Sequence, residues 1–196
     1  MKKLITLFIL AFLCTSVSKS NSSLPDLDKV IKNDVTNFSI YIGNTKKNKK
    51  KPVNESLYQF ANLFSYSEST NDPKEININN KKYFAYSGCR HQSCEEKGLI
   101  WIDKENKITV GLLVHYFFND NTYNEKGDFL IFSKNLEDST KLPEEFYKIL
   151  KEWNTKATRY DFNTKKHLPI NPNKIRFINS KNEVMDITNI FKKNFK

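Results

Sequence analysis

The chain has few glycines, prolines and cysteines for its length: 5, 6 and 3 in 196 residues. With so few breaks, Gly88, Pro52 and Pro143 each stand out as boundary marks. Beyond the N-terminus there is no apolar run approaching the ~20 residues that a membrane-spanning helix needs, which points to a soluble mature chain. No nucleic-acid motif accompanies the basic balance of 32 Lys and Arg against 22 Asp and Glu. Serine and carboxylate catalysis have no local signature, and no second cluster of metal-ligand residues is present. The expectation is a protein that is not an enzyme and carries neither metal nor cofactor.

What is present begins with an export signal. Lys2 and Lys3 precede a ten-residue run, Leu4 to Leu13, that is apolar except for Thr6. Small residues at Ser16, Ser18 and Ser20 then allow cleavage after Ser18 or Ser20. Residues 1–20 are read as a signal peptide, and the protein is expected in the periplasm or outside the cell. Cys14 sits behind the bulky pair Phe12 and Leu13, a poor fit to a lipoprotein site. Losing Lys2 and Lys3 lowers the net charge from +10 to +8, and losing Lys19 as well leaves +7. Such a charge suits anionic neighbours such as membrane headgroups or cell-wall polymers.

The mature chain is long enough for one domain with a real core. Its first part, residues 21–75, is helical and basic. Leu24, Leu27, Val30 and Ile31 fall on one helical face, with Pro25 and Asp26 in the first turn. A β-rich run at 38–42 and a short helix at 55–64 are expected on either side of a charge run. That run, Lys46, Lys47, Lys49, Lys50 and Lys51, is a solvated loop or a patch for an anionic partner.

Residues 76–196 read as a sheet with helices. Strands are expected at 81–87 (KKYFAYS, ended by Gly88), 98–103 (GLIWID), 108–118 (ITVGLLVHYFF) and 128–132 (DFLIF). The third is apolar enough to be covered on both faces. Pro143 opens a helix whose stripe is Phe146, Ile149, Leu150 and Trp153, and strands follow at 174–178 and 184–187. His115 reads as a core or edge histidine and His167 as a loop residue. The fold class is α+β, an antiparallel meander with flanking helices.

The most informative segment is Ser87 to Gly98, with Cys89 and Cys94 enclosing Arg90, His91, Gln92 and Ser93, and Glu95 at the exit. In an oxidising compartment these cysteines should pair. The small ring stabilises the fold by about 2 kcal/mol at most, and its greater effect is to hold four residues in one shape. Cysteine, histidine and cysteine in one tight arc offer a metal only three ligands. A nucleophilic cysteine, with His115 or His167 as base, would be silenced by the disulfide. A bond that only stiffens a hairpin is the plain structural reading.

The stretch SGCRHQSCEEKGLIWID resembles the inhibitor of vertebrate lysozyme family, whose members carry a Cys-Lys-Pro-His-Asp-Cys loop after a strand end. The resemblance is sharp over residues 86–103 and looser across half the chain. It implies a proteinaceous inhibitor whose loop enters the cleft of a lysozyme or another cell-wall hydrolase. Both cysteines match in spacing, and Arg90 holds the lysine position. Gln92 occupies the histidine position, with His91 one residue earlier, and Ser93 replaces the acidic residue. Animal lysozymes are typically basic, so a partner at +7 or +8 would be steered away from them. A wall-degrading toxin from a rival cell is the alternative target, which would make this an immunity protein; an envelope-binding module acting through its basic surface is another. Partners are expected to be protein rather than nucleic acid, and a homodimer is allowed for.

Overall fold

The computed structural model describes residues 24–31, 33, 73–89, 96–116, 118–119, 122–123, 127–156, 158–161 and 164–194. The expected signal peptide, the elements at 38–42 and 55–64, the Lys46–Lys51 run and loop residues 90–95 lie outside them.

Among the described residues, seven strands form one sheet: β1 (Lys74–Ile78), β2 (Lys81–Cys89), β3 (Lys97–Asp103), β4 (Ile108–His115), β7 (Asp128–Phe132), β10 (Ile175–Ile178) and β11 (Val184–Asp186), in that spatial order. Two small ribbons stand apart, β5 (Phe118–Asn119) with β6 (Thr122–Tyr123), and β8 (Thr158–Asp161) with β9 (Lys166–Pro169). The helices are α1 (Leu27–Val30), α2 (Glu144–Lys156) and α3 (Thr188–Asn194). This is the expected α+β architecture.

Local chemistry accounts for the turns. Asn79 and Asn80 both have positive φ, 51° and 61°, the geometry of a two-residue hairpin turn that asparagine tolerates. Between β3 and β4, Asp103 is 5 % exposed and its carboxylate accepts from the Asn106 backbone N–H (3.0 Å) and side-chain amide (2.7 Å). Past β10, buried Asn179 accepts from the backbone N–H groups of Lys181 and Glu183 (2.9 and 2.8 Å). Its amide donates to the Glu137 carbonyl and the Glu183 carboxylate (2.7 and 2.8 Å). One side chain thus satisfies a turn that would otherwise strand polar groups in the interior.

Both sheet faces are buried. On one, Trp101 stacks on Tyr83 (ring centroids 5.3 Å) and meets Phe146 edge-on (6.1 Å). There α2 lays down Phe146, Ile149, Leu150 and Trp153, with Phe191 of α3 beside them. Burying each such side chain contributes about 1.5 to 3 kcal/mol. The other face gathers Phe84, Tyr86, Ile100, Leu113, Leu130, Phe132 and Ile178, with Leu27, Val30 and Ile31 of the α1 region packed on it. The Tyr86 hydroxyl donates to the Pro25 carbonyl and ties that segment down. Burial on both faces explains the continuous apolar character of β4.

Several expectations need correction. Gly88 does not end its strand: it pairs with Gly98, and β2 continues to Cys89. The run 108–118 is not one strand. Among the described residues the pairing of β4 with β7 runs only to His115 opposite Asp128, and Phe118 pairs separately with Tyr123. The sheet is not wholly antiparallel, because the chain returns through α2 and β10 pairs with β7 in parallel, Ile175 beside Phe129. Asp26 is the N-cap of α1 rather than a first-turn residue, accepting from the Lys29 N–H at 3.2 Å. His167 lies in β9, not in a loop.

Candidate functional site

The end of the sheet that carries the cysteine loop is set by register. Cys89 pairs with Lys97, Gly98 with Leu113, and His115 with Asp128. The segment 90–95 therefore leaves from β2 and returns into β3 between two interior strands, on a base that cannot slide without exposing both buried faces. Cys89 is disulfide-bonded, which removes its thiol as a nucleophile; its sulfur partner lies outside the described residues. Arg90, His91, Gln92, Ser93, Cys94 and Glu95 lie outside them too, as do Lys46, Lys47, Lys49, Lys50 and Lys51.

A row of ionisable groups crosses the strand ends next to Cys89 and Lys97. Glu96 and His115 extend the Gly98–Leu113 pairing by two residues each, which brings both to the same face. Glu96 Oε1 lies 3.2 Å from His115 Nδ1, with the side chains only 13 % and 16 % exposed. Asp128 follows on β7 as the register partner of His115, and its Oδ2 meets Arg176 Nη1 of β10 at 2.9 Å. Asp128 is almost fully buried, and burial pushes its carboxyl above the usual range. The nearby Arg176 charge and the Lys174 backbone N–H pull it back only in part. Carboxylates thus alternate with an imidazole and a guanidinium across the adjoining ends of β3, β4, β7 and β10.

On the opposite face Trp153 of α2 donates from its indole N–H to the Ser87 hydroxyl at 2.8 Å. Ser87 is two residues before Cys89, so this bond fixes the outgoing arm of the loop against the helix, as the Glu96–His115 pair fixes the returning arm. The sequence places His115 at a core or edge position, Ser87 at the start of the loop segment and Glu96 at its exit, but not the pairing of Glu96 with His115 or of Ser87 with Trp153, and it does not single out Asp128 and Arg176. Their meeting depends on cross-strand register, and only the charged flanks of apolar strands hinted at it.

Among the described residues, no three His, Cys, Asp or Glu side chains gather in a way that could hold a metal. No described helix is long and apolar enough to cross a membrane. Set against protein-family models, curated proteins and solved structures, the chain matches none. The site is therefore read from its own chemistry: a short cysteine-bounded loop on a braced, doubly buried sheet end.

Proposed function

We propose that the protein is an exported inhibitor of a peptidoglycan-degrading enzyme, with the Cys89–Cys94 loop as its blocking element. The observation that carries this reading is the bracing of the loop's two arms by Trp153–Ser87 on one side and Glu96–His115 on the other. A loop held at both ends loses little entropy when it enters a cleft. Glycoside hydrolases of this kind work with two carboxylates on either side of the scissile bond. Arg90, always cationic, and His91, cationic when protonated, suit such a cleft, while Gln92 and Ser93 supply hydrogen bonds at its rim. Cys89 paired with Cys94 keeps the four residues in one arrangement, with Glu95 at the exit.

The net charge of +8 or +7 expected after removal of the export signal narrows the target. A basic lysozyme would be repelled on approach, whereas an enzyme with an acidic cleft rim would be steered in. This favours a wall-degrading enzyme of acidic surface, such as an antibacterial toxin, and the role of an immunity protein. The experiment is inhibition of peptidoglycan turnover by the purified protein, wild type against an Arg90→Ala/His91→Ala double variant. Loss of inhibition in the variant supports the reading, and retained inhibition overturns it.

A further inference from the structure

The β8–β9 ribbon stands outside the seven-stranded sheet. All four residues of β9, Lys166 to Pro169, are exposed, and so are Thr164 and Lys165 before them. An isolated two-stranded ribbon is marginal in water, so this one depends on its roots. Trp153 and Ile170 are buried in the core on either side of it, and the Asn154 amide donates to the Ile170 carbonyl at 3.1 Å. Lys165 has φ of 53° in the turn at the tip. The result is a short arm rooted at its base and exposed to water along β9.

Its composition is one-sided. Between Lys156 and Pro169 the basic residues are Lys156, Arg159, Lys165 and Lys166, and the one acidic residue is Asp161. Lys166 and Leu168 lie two apart on β9 and so share one face. Leu168 is 41 % exposed, one of four large apolar side chains open to water among the described residues. A soluble polyanion would use the lysines and have no use for the leucine. A bilayer with anionic headgroups uses both, the cations at the phosphates and the leucine at the acyl boundary.

We infer that the β8–β9 ribbon docks on the surface of an anionic lipid bilayer, through Lys165, Lys166 and Leu168. The contact is independent of the cysteine loop.

The test is co-sedimentation of the full protein, as recovered after expression with its own N-terminal segment, with phosphatidylcholine vesicles with and without phosphatidylglycerol. Sodium polyphosphate serves as the soluble polyanion. Partition is expected on the anionic vesicles only. Each lysine at such a surface is worth about five-fold, so Lys165→Ala/Lys166→Ala should weaken it roughly 25-fold. Leu168→Ser should weaken vesicle partition about five-fold and leave polyphosphate binding unchanged. All three positions are exposed, so the variants should keep the wild-type melting temperature. Vesicle partition unchanged in the double lysine variant overturns the inference. Partition that falls with the lysines but not with Leu168→Ser also overturns it, in favour of a soluble polyanion.

Discussion

Gly111 lies in the middle of β4, where glycine ordinarily weakens a strand by roughly 0.5 to 1 kcal/mol relative to alanine. On propensity alone Gly111→Ala should stabilise the protein. The structure predicts the opposite. Gly111 pairs with Phe132 of β7, and a Cβ built at Gly111 would lie 2.1 Å from two atoms of the Phe132 ring. Phe132 is 1 % exposed and packed among Ile100, Leu113 and Ile178, so the ring has nowhere to retreat. Overpacking costs about 1 to 3 kcal/mol, and so close an approach belongs to its upper part, about 2 to 3 kcal/mol; subtracting the propensity gain leaves a net loss of roughly 1 to 2.5 kcal/mol. For a domain of this size that lowers the melting temperature by roughly 2 to 10 °C. Thermal denaturation followed by circular dichroism reads it directly. Phe132→Leu alone should destabilise by about 1 kcal/mol through lost packing, yet it removes the ring that the new methyl strikes. The double variant should therefore be more stable than the sum of the two losses predicts. A Gly111→Ala variant as stable as wild type, or strict additivity in the double variant, would refute this packing of β4 on β7.

Two further outcomes follow from the braces beneath the loop. Because burial raises the Asp128 carboxyl above its ordinary value near 3.8 despite Arg176, the folded state holds that proton more tightly than the unfolded chain. Its stabilising contribution is full below the unfolded value and is lost as pH rises through the raised one. The melting-temperature advantage of wild type over Asp128→Asn should then shrink from pH 4 towards neutrality, and an advantage that grows over that range would show the Arg176 pairing to dominate. Ser87→Ala leaves the largely buried indole N–H of Trp153 without its acceptor and should lower stability in chemical denaturation by about 1 to 2 kcal/mol. That loss should largely vanish in a Trp153→Phe background, and its persistence there would separate the effect from this hydrogen bond.

Much of the fold was legible because its signals are local. GLIWID and DFLIF are short β-branched and aromatic runs bounded by polar turns, and both fold as strands within a residue of their expected limits. The stripe of Phe146, Ile149, Leu150 and Trp153 behind Pro143 needed only helical spacing. The β1 hairpin was harder to see, since Asn79 and Asn80 make a turn by adopting positive φ without any glycine. The parallel pairing of β10 on β7 is a property of how α2 crosses the sheet, and no residue of β10 records it. All four residues of β9 are exposed, so that strand leaves no alternating pattern to read. At the candidate site the cysteine spacing was visible in the chain itself. The Glu96–His115 and Asp128–Arg176 contacts join residues far apart in sequence and follow only from register.

The central claim is that a braced cysteine loop blocks a wall-degrading enzyme. Its most direct test is the inhibition constant against a peptidoglycan hydrolase with an acidic cleft rim, measured for wild type and Arg90→Ala/His91→Ala, with both melting temperatures taken alongside. Inhibition by wild type should be at least roughly 100-fold stronger than by the variant, since two interfacial hot spots each carry about 2 kcal/mol or more. The melting temperatures should differ little, because both residues are polar members of the short segment between Cys89 and Cys94. Equal inhibition constants in two equally stable proteins would contradict it.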